Sequence, residues 1–582
     1  MNYSYRLISM LLSACALGVA CGEEGRGREG TAGGASGSAG RAGASDNAAS
    51  GGGADDGGAK NGGRGGAAGE GGPGGGVPTG GSDAPGGGGE GGVTVAPEHW
   101  LAFQLWTEDD DTHPLFLAGV PQPAEPRPLA ADVDFWRWTP DGTRLIYATP
   151  AAYGGPPNAA FSVALSRAGS LDDPEPLHRP LDDGDYAWSV SISPDSKTLA
   201  LQLYEAGTST WYLRPIDGGV GDWVDVAQGS AVEPLAGVEA RLTWSPDGTR
   251  VAVVQREDAT HDSLFIVDAA TRKGSQGSFR NLRVFQWSVD GSRLFADALD
   301  PDAGQRVLYA IEADAASDAV ELSDRAVHSS FDPAKFAASS DGGTVAFMAQ
   351  VNGAGAGRLF IQQVGSGQPA VQTEGDNPSN IVWSESSGQF LYIAGHLYAV
   401  PRQGGDAVRL NPVGRVAHCN VVPCLRAAGD AFLFMTSDAD YTSNQLYDID
   451  LSSASPSARL LSALPAGNFI DLLALAPDPS RLILLTTDNA GKQGTYLVDR
   501  STASPSVTRL SRSPPSSSFL RSPMWSPDSR LLHLVAAKGG GGAVDLYMAT
   551  IESGTAVLSA PVTPQDRHIT GVAAEWRPRP LP

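Results

Sequence analysis

The stretch Trp244-Ser-Pro-Asp-Gly-Thr-Arg-Val251 decides the fold, because it returns along the chain. Close copies are Trp138-Thr-Pro-Asp-Gly-Thr-Arg-Leu145, Trp287-Ser-Val-Asp-Gly-Ser-Arg-Leu294 and Trp525-Ser-Pro-Asp-Ser-Arg-Leu531. Weaker copies start at Ile192, Ala338, Trp383, Leu425 and Leu475, and a truncated one opens at Trp576. Successive starts lie 42 to 54 residues apart, the spacing of a four-stranded propeller blade.

Each copy has a local physical logic. An apolar anchor ends one strand; proline then presets φ, aspartate caps the turn, and glycine admits a left-handed residue. An apolar strand resumes at once, as in Val251 to Val254 and Leu482 to Leu485. About ten residues on comes an aromatic-aliphatic strand such as Leu264-Phe-Ile-Val267 or Leu397-Tyr-Ala-Val400. No helical-period segment intervenes, so the reading is an all-β chain, a β-propeller of repeated four-stranded blades. Trp138, Trp244, Trp287, Trp383, Trp525 and Trp576 are its strand-end anchors. Asp141, Asp195, Asp247, Asp290, Asp341 and Asp528 are turn-formers before they are ligands or acids.

The unit resembles the WD40-like PD40 repeat of the TolB-type propeller family, whose hallmark is an apolar residue, Ser-Pro-Asp-Gly and a strand. The resemblance covers nearly everything after residue 95. It implies a propeller without chemistry in the repeat itself, working in cell-envelope complexes with peptidoglycan-associated lipoproteins. The chain departs from TolB in its N-terminus, in lacking an evident N-terminal α/β domain, and in having more blades.

The two ends complement each other. Trp100 to Leu105, Pro114 to Ala118 and the segment near Leu129 look like second, third and fourth strands lacking a first, and Ile569 to Trp576 looks like a first strand with nothing after it. Joining them completes one blade and removes exposed edges. That makes about ten blades; eight or nine, or two smaller rings, also fit the spacing.

Upstream the chain changes character. Residues 1–21 form an export-type signal, with an apolar stretch from Leu7 to Ala20 before Cys21. Its end resembles a bacterial lipoprotein signal, with Cys21 as the lipidated residue and Cys15, after Leu12-Ser-Ala14, as the alternative. Residues 22–92 hold 32 of the 73 glycines, and no Val, Leu, Ile, Met or aromatic residue occurs before Val77. Such a segment has nothing to bury and reads as a disordered tether, with a random-coil span of roughly 45 Å. Residues 93–582 are the propeller. The expected location is the bacterial envelope, held to a membrane (the outer one by preference) through a lipid anchor alone, with the propeller in the periplasm or outside the cell.

The formal charge of −24 argues against nucleic acid. Cys419 and Cys424 are the remaining cysteines; in an exported chain a short-loop disulfide is the expected reading, with metal binding beside His418 as the rival. The acidic run Glu108 to Asp111 with His113 reads as a solvated hairpin tip rather than a cation site. No His-Glu-x-x-His or Gly-x-Ser-x-Gly occurs, and no catalytic residue, cofactor or metal is assigned. The function expected is recognition of an envelope protein, peptide or glycan. The alternatives are a hydrolase or lyase whose site converges in the central channel, and a structural surface protein.

Overall fold

The structure is a computed structural model that describes residues 99–579, apart from inter-strand segments of which the longest are 151–156, 231–240, 418–424, 438–443, 511–519 and 538–543. The signal, the tether, Cys15, Cys21, Glu108 to Asp111, Cys419 and Cys424 therefore lie outside the described residues.

The described strands form ten antiparallel sheets, nine of four strands and one of five. The protein is a ten-blade β-propeller. We number the blades by their first strands: blade 1 from Phe135–Trp138, 2 from Tyr186–Ile192, 3 from Arg241–Trp244, 4 from Val284–Trp287, 5 from His328–Ala338, 6 from Ser379–Ser384, 7 from Val416–Ala417 with Leu425–Ala428, 8 from Asn468–Leu475, 9 from Leu520–Trp525 and 10 from Ile569–Trp576. First strands of neighbouring blades touch in pairs 3/4, 5/6, 8/9 and 9/10, which makes them the innermost layer of the ring.

Blade 10 is built from both ends of the propeller, in the order Arg127–Ala130, Leu115–Val120, His99–Thr107, Ile569–Trp576. Its seam pairs Leu101 with Trp576 and Phe103 with Ala574. The period of two explains why strand His99–Thr107 can sit there. Leu101, Phe103 and Leu105 enter the core shared with blade 9, while Trp100 and Ala102 enter the core shared with blade 1. Every other blade uses the same device, so the cores lie between sheets.

One register differs from the sequence reading. In blades 3 and 8 the anchor pairs with the residue seven positions on, as Trp244 does with Val251 and Leu475 with Leu482. In blade 7, Ala427 takes that place, opposite Phe432, and Leu425 pairs two rungs earlier with Phe434. The shorter hairpin from Ala428 to Ala431 lacks the Pro-Asp-Gly turn, so an apolar residue alone misplaced the start.

Candidate functional site

The repeated polar residues are the obvious place to seek chemistry, and the structure accounts for them one by one. The hydroxyls of Thr139, Ser193, Ser245, Ser288, Ser339 and Ser526 donate to Asp141, Asp195, Asp247, Asp290, Asp341 and Asp528 respectively, at 2.5 to 2.6 Å. The same aspartate oxygen accepts the amide two residues on, as from Thr249 to Asp247 at 3.0 Å. This closes the strand 1 to strand 2 turn. Burial raises the carboxyls of Asp141, Asp247, Asp290 and Asp528, but their hydrogen bonds together outweigh it and hold them below the ordinary aspartate range. Asp341 falls to about 2, through the Ser339 hydroxyl first and then the Gly343 amide and Arg402.

The tryptophans link blades. The indole Nε1 of Trp287 donates to the Thr243 carbonyl, that of Trp525 to Ala474, and that of Trp576 to Met524, at 3.0 to 3.2 Å. Each acceptor is the residue just before the preceding blade's anchor. Trp244 reaches the Ser191 hydroxyl at the same place in blade 2, at 3.1 Å. Trp383 breaks the rule by donating to Glu385 in its own turn at 2.7 Å. Blades 5 and 6 are joined instead by Arg402, which binds Asp341 and the Thr344 hydroxyl.

The arginine and the left-handed residue of the motif also point across blades. Arg250 donates to Gly291 O at 3.5 Å and Arg293 to Gly342 O at 3.1 Å. Serine replaces glycine at positions 196 and 529, with φ of 60° and 61°. Each serine hydroxyl accepts an amide from the turn of the preceding blade, Asp141 and Asp478, at 2.9 Å. A left-handed non-glycine residue is strained, and here the strain is coupled to an added bond between blades.

The seam between blades 9 and 10 gathers titratable groups that the repeat does not predict. His99 Nε2 lies 2.9 Å from Asp528 Oδ2, and Ser526 donates to the other oxygen at 2.5 Å. A nucleophilic triad needs the imidazole between hydroxyl and carboxylate. Here the carboxylate stands in the middle, so no base faces Ser526. His533 stacks on Trp576 with centroids 5.9 Å apart, fully buried, and burial lowers it to about 3. Glu575, beside Arg137, is raised to about 7 by burial.

The innermost strands carry the second departure. Among the described residues their pairing is irregular in blades 2, 5, 6, 8, 9 and 10: Trp188, Asp471 and Thr570 are single extra residues, and residues 380–381 and 522–523 oppose Tyr392 and Leu534 alone. In blade 5, residues 332–335 oppose Met348 alone. In blade 7 the strand pairs in two pieces, Ala417 with Thr436 and Leu425 with Phe434. Bulges bend a strand and re-aim side chains. Sequence reading missed them, although Pro333 and Pro523, each inside a first strand, mark such positions.

Of the residues named from the sequence, the structure brings Trp576 and Asp528 to the seam region and spreads the rest around the ring. Among the described residues, no group of three or more His, Cys, Asp or Glu could hold a metal ion.

Comparison with family models and with curated proteins gives no match. Solved structures similar in fold include a eukaryotic initiation factor (13% identity, 83% of this chain and 99% of that one, TM-score 0.47). Others are the C-terminal WD40 domain of Sif2 (10%, 68% and 91%, 0.35) and Porphyromonas gingivalis dipeptidyl peptidase 4 (13%, 69% and 64%, 0.38). At such identities the likeness concerns the fold alone.

Proposed function

We propose that this propeller is a non-catalytic recognition module of the cell envelope, tethered by lipid on Cys21 or Cys15, and that its ligand is an envelope protein, peptide or glycan. The reading assigns it a role like that of TolB-type propellers, to which its repeats are similar. What carries it is the division of labour between motif and inner strand. The polar groups of the repeat are engaged in turns and blade-to-blade bonds, whereas the first strands of blades 5, 6, 8 and 9 place irregular backbone on the axial layer, with Asp471 exposed at the blade 8 bulge. Varied segments on a rigid scaffold are where binding residues concentrate.

The test is capture of envelope proteins and glycans by the propeller, side by side with a variant in which residues 332–335 are shortened to one residue and Asp471 is replaced by alanine. A partner retained by the native protein and lost by the folded variant supports the reading. Equal capture by both removes it. Turnover of a captured glycan or peptide would favour an enzyme instead. Mass analysis of the N-terminal peptide tests the lipid on Cys21.

A further inference from the structure

The seam of blade 10 is the place where a ten-blade ring depends on strands from opposite ends of the propeller. Trp576 is its keystone. Its indole donates to Met524 O at 3.1 Å, its ring lies on His533, and His99 meets it edge-on at 6.1 Å. His533 is enclosed on all sides and its Nδ1 has no hydrogen-bond partner. A proton added there would place a charge, without a counter-ion in contact, under the ring that holds the closing strand.

We propose that this seam is an acid-operated latch: protonation of His533 in the released state lets strand Ile569–Trp576 leave blade 10 and opens the ring between blades 9 and 10, while the other joints stay closed.

The groups around His533 set the response. From strand His99–Thr107 comes His99, paired with Asp528 of the blade 9 turn, and Arg579 of the tail lies 3.5 Å from the same carboxylate. The third strand of blade 9 contributes Met548 directly opposite His533, and Asp545, which accepts from Thr563 at 2.9 Å. Glu575, on the closing strand, faces Arg137 of blade 1.

The signs follow from linkage. His533 is lowered in the closed seam from 6.5 to about 3, so its stabilisation is whole above 6.5 and is lost as pH falls toward 3. Glu575 is raised from 4.5 to about 7, so its contribution is whole below 4.5 and is lost as pH rises through 7. Between about 4.5 and 6.5 the two slopes oppose. Below 4.5 His533 is unopposed, and the open fraction grows about tenfold per pH unit. Lowered Asp528 adds to that trend only at still lower pH.

Hydrogen exchange of 569–576, corrected for intrinsic rates and referred to strand Arg250–Arg256 in the same molecule, tests the latch. The native protein should show selective opening of 569–576 starting below about pH 4.5. His533→Phe, which keeps an aromatic ring under Trp576, should abolish the selectivity, and Glu575→Gln should move its onset up toward pH 6.5. Acid exchange that rises equally in all blades, or that is unchanged in His533→Phe, overturns the proposal. If Glu575→Gln does not fold, native protein against His533→Phe decides alone.

Discussion

The indole Nε1 of Trp138 donates to the carbonyl oxygen of Glu575 at 3.3 Å, joining residues 437 apart in sequence. It is the same bond that Trp287 makes to Thr243 and Trp576 to Met524. The ring is thus closed by the chemistry that propagates it, and the closing joint differs only in drawing on both ends of the propeller.

Trp576→Ala should therefore destabilise the protein by about 3 to 5 kcal/mol, through a cavity in the seam core and a lost bond to blade 9. Trp576→Phe, which keeps most of the volume but not the N–H, should cost roughly 1 to 2 kcal/mol. Chemical denaturation of both variants measures the difference. Equal losses would mean that the packed ring contributes nothing beyond the indole bond, which both variants lack.

At position 529 the left-handed backbone and the bond to Asp478 can be separated. Ser529→Ala keeps the strain and removes the bond, so it should destabilise by roughly 1 kcal/mol. Ser529→Gly removes both and should lie close to the native protein. Melting temperatures in the order native, glycine, alanine are expected. Alanine as stable as the native protein would show that the hydroxyl bond is not what sustains the turn, and alanine at least as stable as glycine would show that the backbone is not strained.

Glu575 has its own signature. Its folded value of about 7 lies above the ordinary 4.5, so stability from this group is present below pH 4.5 and lost as pH rises through 7. Glu575→Gln should abolish the fall in stability between about pH 6.5 and 7, leave the rise from His533 unopposed between 4.5 and 6.5, and make the variant the more stable at pH 8. An unchanged slope would show that Arg137 already neutralises the carboxylate.

In sequence, Cys419 and Cys424 fall between Ala417 and Leu425, which pair with Thr436 and Phe434 of one strand. We expect one intrachain disulfide there in exported protein, read as a 2 Da mass deficit in the unreduced peptide spanning both cysteines. Because the loop is so short, Cys424→Ser should shift stability little. Two free thiols in protein recovered from the envelope would refute the pairing.

Much of the fold was legible in particular residues. The Trp244 to Val251 stretch and its copies carry turn chemistry that works within eight residues, so spacing alone yields the blade and the complementary ends yield closure. Leu425 was misplaced because Ala428 to Ala431 lacks that chemistry and only sheet pairing sets its register. The seam groups were invisible for another reason. His99, Asp528, His533 and Glu575 sit in different blades or strands, and nothing local to any of them specifies the others.

Sequence by itself thus determined that the chain folds as β-blades, where each turn lies, and which residues anchor them, since these rest on local φ preferences and period-two burial. Tertiary structure alone decided that there is one ring of ten, that the motif's tryptophans and arginines point into the neighbouring blade, and that the inner strands bulge. Those outcomes depend on how sheets pack and pair across hundreds of residues. For the same reason His533, an unremarkable histidine in sequence, becomes a buried neutral ring beneath Trp576.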